Sequence, residues 1–308
     1  MPELQVGERR WTVAPGSNLL DSLNQAGVAV PYSCRAGSCH ACLVRCVDGE
    51  PADALPEALD AGKHQQGWRL ACQCRVVGDL TVQAFDPLRD GSPATVSGCD
   101  WLSPTVLRLR LEPARPLRYR AGQHLVLWTA SGVARPYSLA SLPGEDPFLE
   151  FHLDCRQPGA FIDAARQLKI GDAIGLGELR GGALQYDPDW QERPLLLLAA
   201  GTGLGPLWGV LREALRQEHQ GPIRLVHLAR DESEHYLRHE LPQIAAQVQL
   251  ITPQNLATTL ADLRMLSRKS MALVCGSPGS VEDFAKRLYM GGLPRNQVLA
   301  DVFVGREG

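Results

Sequence analysis

Four cysteines set the tightest limit on what this chain can fold into. Cys34, Cys39 and Cys42 stand as C-x4-C-x2-C, and Cys72 follows after 29 intervening residues. This puts three thiolates on one loop and a fourth on a separate segment, the spacing of a [2Fe–2S] centre. Two irons bridged by sulfide need soft anionic ligands, and backbone amides on a tightly curled loop can point at the sulfurs. Gly37 and Ser38 supply such amides, and Gly37 permits the curl. Structural zinc is the alternative. It usually takes two short C-x2-C knuckles, and only Cys39 and Cys42 form one here before Cys72-x-Cys74. The chain has nine cysteines, an odd number. With no export signal legible after Met1-Pro2-Glu3, disulfides are not expected and metal or redox chemistry is. Cys46 and Cys74 read as small core residues.

The remaining sequence divides by rhythm. Residues 1–88 read as short strands with one early helix, Leu19 to Ala26, capped by Asn18 and closed by Gly27. Asp86–Pro93 is turn-rich and reads as a linker. Residues 94–185 alternate apolar and polar in short runs, Val106–Leu111, His124–Trp128, Phe148–Leu153 and Ala173–Leu176, as an antiparallel β-barrel would. One helix, Ala160–Leu168, interrupts them. After a second linker at Tyr186–Pro194, residues 190–308 change to alternating strand and helix. Leu195–Ala199, Arg224–Leu228, Gln247–Ile251 and Ala272–Cys275 are the expected strands, with helices Leu207–Glu218, Tyr236–Ala246 and Ser280–Met290 between and after them. Continuous apolar strands in that setting indicate an α/β parallel sheet covered on both faces.

Pro31-Tyr32-Ser33-Cys34-Arg35-Ala36-Gly37-Ser38-Cys39-His40-Ala41-Cys42 closely resembles the cluster loop of plant-type ferredoxins, and Leu70-Ala71-Cys72-Gln73 resembles the segment with their fourth ligand. The resemblance covers residues 1–86. It implies a β-grasp domain with Cys34 and Cys39 on one iron, Cys42 and Cys72 on the other.

Arg135-Pro136-Tyr137-Ser138 sets a guanidinium, a ring and a hydroxyl along one strand, where Arg135 and Tyr137 face the same way. Gly159-Ala160-Phe161 then opens a helix, a natural seat for a pyrophosphate. Together these resemble the FAD domain of the ferredoxin–NADP⁺ reductase superfamily. That likeness implies that Arg135 holds a flavin phosphate, Tyr137 packs on the isoalloxazine and Ser138 hydrogen-bonds flavin N5. Many relatives carry Ser or Thr where this chain has Ile162, which leaves backbone amides and Arg156 for the pyrophosphate. FAD is expected in preference to FMN.

Gly201-Thr202-Gly203-Leu204-Gly205-Pro206 follows a strand and starts a helix, so its glycines let a backbone approach a pyrophosphate. The dinucleotide fingerprint G-x-G-x-x-G would need Gly at 206 and does not apply as written. The Gly-Thr-Gly…Pro form resembles the NAD(P)-binding half of the same superfamily, as does Cys275-Gly276-Ser277-Pro278-Gly279, whose cysteine lies beside the nicotinamide in that family. Cys275 reads equally as a buried strand residue. Asp301-Val302-Phe303 resembles the acidic-x-Phe ending of reductases with this domain order, where Phe303 would cover the flavin face. At the end of the second strand, Asp231 favours a ribose 2′-hydroxyl and hence NADH, while Arg230 argues for NADPH.

The order ferredoxin, FAD barrel, NAD(P) domain resembles the reductase components of bacterial oxygenases, and also the reductase acting on CDP-6-deoxyglucoseen. It implies hydride transfer from NAD(P)H to flavin, with Ser138, Cys275 and Phe303 at the reacting centre. Single electrons would then pass to the cluster and on to a one-electron acceptor protein such as an oxygenase component. The alternatives are reduction of a small acceptor (quinone or free flavin), or a redox-sensing or zinc-stabilised module without catalysis.

Net charge is −3, so nucleic acid has no electrostatic reason to bind. All of it sits in residues 1–88, with 7 Lys and Arg against 10 Asp and Glu. This reads as a solvated acidic face, or as a docking face for a basic partner. No apolar stretch approaches the length of a membrane span. A cytoplasmic, soluble monomer is expected. His235 and His239, an i,i+4 pair, have no third ligand in sight and read as a solvated helix face.

Overall fold

The computed structural model describes residues 1–244, 247–262 and 267–304. Its first third holds β1 (Glu3–Val6), β2 (Arg9–Thr12), β3 (Ser17–Asn18), α1 (Leu19–Gln25), β4 (Leu43–Asp48), β5 (Ala52–Asp53), α2 (Ala61–Gln65), β6 (Trp68–Leu70), β7 (Cys74–Val76) and β8 (Leu80–Ala84). The main sheet runs β2-β1-β8-β4-β6, with β1 parallel to β8, and a small sheet β3-β7-β5 stands beside it. Asn18 Oδ1 accepts from the Asp21 amide at 3.2 Å, the expected cap, and α1 buries Leu19, Leu20 and Leu23 against Leu4, Val44 and Val82. A mixed sheet with one helix packed on it is the β-grasp arrangement. Cys74 is fully buried in this core, and Cys46 packs at its edge, as the sequence implies.

The middle of the chain forms β9 (Ser92–Ser103), β10 (Val106–Pro113), β11 (His124–Trp128), β12 (Ala134–Ser138), β13 (Leu149–Asp154), α3 (Ala160–Ala165) and β14 (Ala173–Arg180). Its six strands are ordered β12-β11-β14-β9-β10-β13, all antiparallel. A Leu139–Phe151 bridge and an Ala140 N–H to Glu150 carbonyl bond at 2.8 Å join the two ends into a barrel. The sequence reading missed β9. Its polar alternation is interrupted by register shifts against β10, so no period-2 run of useful length shows.

The last third holds β15 (Leu195–Ala200), α4 (Leu204–Arg216), β16 (Ile223–Leu228), α5 (Leu241–Ile244), β17 (Gln247–Ile251), α6 (Pro253–Asp262), β18 (Met271–Gly276), α7 (Pro278–Met290) and β19 (Val298–Val302). Its sheet is wholly parallel, in the order β17-β16-β15-β18-β19. The chain winds outward from β15 in one direction, then returns to place β18 on its other side. The carboxyl ends of β15 and β18 therefore form a topological switch point, where open α/β sheets bind ligands.

The expected helix Tyr236–Ala246 is not formed: α5 spans only Leu241–Ile244, and Ala245 and Ala246 lie outside the described residues. Tyr236 is almost wholly buried, Leu237 takes a left-handed φ of 56°, and Pro242 favours a helix start at this point rather than continuation. His235 is accordingly buried, not on a solvated helix face, whereas His239 is exposed.

The three units share surfaces. The apolar face of α4 packs into one core with Ala121, Leu142 and Leu184 from the barrel side, and Arg212 forms a two-pronged pair with Asp146 at 2.6 and 2.9 Å. On the ferredoxin side, Cys39 and Ala41 pack on Val126, Trp128 and Ala134, and Phe85 stacks on Trp128 with ring centroids 5.0 Å apart. Among the described residues, no helix is long and apolar enough to cross a membrane.

Candidate electron-transfer site

A cavity of about 1010 Å³ lies where the three units meet. Cys34, Ser38 and Cys39 line it from the cluster loop, Arg135, Tyr137 and Ser138 from the end of β12, and Gly201, Thr202, Gly205 and Pro206 from the start of α4. The C-terminal residues Asp301 to Val304 close another wall.

The cysteine loop is built for bound thiolate. The Ala36 and Cys39 amides donate to Cys34 Sγ at 3.3 and 3.4 Å, and Gln73 Nε2 donates to Cys72 Sγ at 3.2 Å. The Gly37 amide reaches Cys72, and Ser38 reaches Cys34 through its hydroxyl. Gly37 has φ of 80°, and a Cβ there would meet the Leu55 side chain at 2.7 Å, so any other residue would strain the loop at this point. Arg35 and His40 also take left-handed φ, 52° and 56°, a cost that ordinary residues bear where a loop must curl around something.

The thiols stand as two pairs. The Cys39 hydrogen bond pushes Cys34 down to about 4, and the Cys42 hydrogen bond pushes Cys72 down to about 7. Their partners are pushed up, because each gives its proton to that bond and is buried. Among the described residues no three His, Cys, Asp or Glu groups converge as a site for a single metal ion. Two thiol pairs with amide donors on their sulfurs fit a two-iron cluster, with the pairing the ferredoxin likeness implies. The loop is partly open to solvent: Arg35, Ala36 and Ser38 are exposed and Cys34 is half-buried. Cys39 is 8% exposed because it turns onto the barrel, and Cys42 is 2% exposed because it packs in the ferredoxin core.

On β12, Ser138 pairs in register with His124, and Arg135 with Leu127. The Tyr137 ring is set by Phe161, centroids 5.0 Å apart at 45°. Phe161 therefore props Tyr137 from the barrel core and does not line the cavity; nor do Gly159 and Ala160. Ile162 and Arg156 do, although Arg156 is held by Asp154 and lies 3.7 Å from Glu234.

At the switch point, Gly201–Gly203 makes a single tight turn before α4. A Cβ on Gly203 would fall 2.2 Å from the Cys275 carbonyl, and one on Gly276 2.7 Å from Ala200, so both glycines permit the close approach of β15 and β18. Cys275 itself is fully buried in the core and does not line the cavity, the second of its two sequence readings. Phe303 lines it instead, fixed by its amide to the Gly276 carbonyl at 2.8 Å. Arg230 lines the cavity, while Asp231 turns its carboxylate onto the Ser233 amide at 2.9 Å.

The sequence reading missed a buried polar chain behind this turn. His227 Nε2 lies 3.0 Å from the Gly201 carbonyl and so carries the proton that donates to it. Its Nδ1 then accepts from His235 Nδ1 at 3.3 Å. Burial pushes His227 down to about 3, with His235 adding to the effect, so it is neutral and this tautomer is fixed. Alongside, His152 joins Tyr236 at 3.3 Å and Glu150 at 3.0 Å. Burial opposes the charge on Glu150, but bonds from His152 and Arg110 outweigh it and hold the carboxyl at about 2. Single histidines scattered over distant segments leave no motif to read.

A test follows for His227. Substitution His227→Leu leaves a carbonyl unpaired and should destabilise the protein by about 1–3 kcal/mol, with a higher nucleotide KM and little change in kcat. His227→Gln, which can still donate, should recover much of both in denaturant unfolding and steady-state assays. Equal stability and KM in the Leu variant would remove His227 from the support of the turn.

A cluster loop, a flavin-type strand and a nucleotide turn around one cavity define an electron-transfer oxidoreductase. The sequence matches the 2Fe-2S iron-sulfur cluster binding domain over residues 4–77 and the oxidoreductase NAD-binding domain over residues 197–260. It is 34% identical to the terephthalate 1,2-dioxygenase reductase component 1 of a Comamonas species, covering 73% of this chain and 68% of the relative. It is 29% identical to the ferredoxin–NAD(P)⁺ reductase component of the Pseudomonas putida naphthalene 1,2-dioxygenase system, over 97% of both chains. The crystal structure of an Amycolatopsis cytochrome P450 reductase aligns with a TM-score of 0.66 at 27% identity, covering 98% of this chain and 99% of that one.

The chain belongs to the family of three-domain [2Fe–2S]/FAD/NAD(P) reductases within the ferredoxin–NADP⁺ reductase superfamily. It is an NAD(P)H-dependent iron–sulfur flavoprotein that passes electrons from NAD(P)H through FAD to its cluster and on to an acceptor.

Proposed function

We propose that this chain is the reductase component of an oxygenase or of another metalloenzyme, with its ferredoxin, FAD and NAD(P) units at residues 1–88, 94–185 and 190–308. The observation that carries this reading is the shared cavity, where cluster ligands, the flavin strand and the nucleotide turn all face one space. The relatives' roles in dioxygenase systems support the choice of partner.

Cys34, Cys39, Cys42 and Cys72 would hold the cluster. Arg135 and Arg156 would meet flavin phosphates, Tyr137 the ring system and Ser138 its N5 edge. Gly159 and Ala160, the cap and first residue of the short α3, stay outside the cavity and are left with a backbone role at most. Gly201 to Pro206 would cradle the nucleotide pyrophosphate, with Gly276 opening the nicotinamide end and Phe303 covering the flavin. Cys275 stays buried in the core behind that end and would support it without lining it. FAD, when bound, takes two electrons from nicotinamide and gives them up singly. The protein's own part is to orient the groups and to exclude water from the space between them. Reconstitution with purified terminal oxygenases tests the assignment: NADH-driven turnover of one of them supports it, and reduction only of quinone or free flavin overturns it.

For the donor we propose NADH. Asp231 is an ionised carboxylate following β16, where a parallel-sheet domain receives a ribose, and it would accept from a 2′-hydroxyl and repel a 2′-phosphate. Arg230, in the cavity wall, is the opposing group. The expected result is a higher kcat/KM with NADH, and a further loss of NADPH activity in Arg230→Ala. A clear NADPH advantage in the unaltered protein would sink the Asp231 argument.

A further inference from the structure

Glu178 is a barrel residue on β14, its side chain only 7% exposed, yet its partners come from the ferredoxin unit. His40 Nδ1 lies 3.1 Å from one carboxylate oxygen, and the Lys63 ammonium from α2 pairs with the other. Two residues along the same strand, Arg180 Nη2 donates to the Ala58 carbonyl at 2.8 Å. A carboxylate taken out of water needs such partners, since an unpaired buried charge is strongly unfavourable. The apolar contacts beside it, Cys39 and Ala41 on Val126, Trp128 and Ala134, are non-directional. They bring the surfaces together without fixing a register. The polar contacts do fix one, and His40 stands within the ligand loop itself, next to Cys39 and two residues before Cys42.

We propose that Glu178, seconded by Arg180, is the positioning residue for electron passage from flavin to cluster. It touches neither cofactor site: neither residue lines the cavity. It acts through His40 and Lys63, holding the Cys39–Cys42 segment against the barrel strands whose ends carry Arg135 to Ser138. This inference rests on the cavity being the flavin site. Contacts between domains otherwise permit relative motion, and electron passage depends on the separation that such motion would vary.

The test uses full-length protein with both cofactors bound, in the variants Glu178→Leu, Glu178→Gln and Lys63→Met. Stopped-flow spectroscopy with NADH separates flavin reduction from the later bleaching of cluster absorbance. Flavin content, cluster content, flavin reduction and ferricyanide reduction should match the unaltered protein. Cluster reduction should slow by about tenfold or more in Glu178→Leu, and less in Glu178→Gln, which keeps a hydrogen-bonding side chain. Lys63 is partly exposed, so Lys63→Met gives a soluble comparison should the Glu178 variants fail to fold, and it too should slow cluster reduction. Unchanged cluster reduction in the folded variants overturns the clamp. Absence of flavin reduction with either NADH or NADPH in the unaltered protein overturns the functional reading itself.

Discussion

Cys39→Ser should abolish cluster-dependent electron delivery while sparing everything upstream of it. A serine oxygen is a hard ligand where two irons bridged by sulfide need a soft one. Loss of even a supporting group around a metal costs about 10–100-fold in retention, and loss of a ligand should exceed that. The rest of the molecule has no reason to fail, because the barrel core and both faces of the nucleotide sheet are built without any residue before Ala94. The variant should therefore lose the cluster's visible absorption, keep flavin, and still reduce ferricyanide from the cavity. Reduction of cytochrome c, a bulky one-electron acceptor, should collapse. If cytochrome c reduction survives at the original rate, the flavin delivers electrons outward itself, and the small-acceptor reading replaces the oxygenase one. Cys39 also packs on the barrel, so its variant and Glu178→Leu share the second symptom; only Cys39→Ser should lose cluster absorbance.

What the sequence made legible depended on whether a residue's role is local. The cluster ligands could be found because a [2Fe–2S] centre dictates spacing within one loop, and Asn18 could be found because a helix cap acts three residues away. Strands β15, β16 and β18 were legible because burial on both faces leaves largely apolar runs. Roles set by distant segments were not. Nothing near Glu178 in the chain announces that it meets His40, which lies 138 residues earlier. Nor does His235 announce a partner in His227, since the segment that separates it from α5 has a helical pattern of apolar residues that the burial of Tyr236 and the left-handed Leu237 override. Likewise Phe161, placed by resemblance in a flavin site, was taken by the core to support Tyr137. Strand β19 was hidden by mixed composition, because its extension is set by the edge contact with β18 and by the Phe303 amide on the Gly276 carbonyl.

Arg135→Ala should release flavin. Arg135 sits on β12 opposite Leu127, lines the cavity, and shares a strand with Tyr137 and Ser138. Its Nη1 donates to the neighbouring Ala134 carbonyl at 2.8 Å, which helps direct the guanidinium. A phosphate meeting a guanidinium makes charge-assisted bonds worth about 1.5–3 kcal/mol in net affinity. Removing them should weaken flavin binding by about one to two orders of magnitude. The substitution leaves Ala134 buried against the ferredoxin unit and Tyr137 against Phe161, so the site should keep its shape. Arg135→Lys should fall between, because an ammonium retains the charge without the two-pronged geometry. The measurement is flavin per protein after exhaustive dialysis, followed by titration of the stripped protein with FAD. Cluster absorbance serves as an internal control and should stay constant, since the substitution leaves all four cysteines in place. Undiminished flavin in Arg135→Ala would exclude it as a phosphate ligand and shift that duty to Arg156, whose carboxylate partners Asp154 and Glu234 would then have to yield to the cofactor.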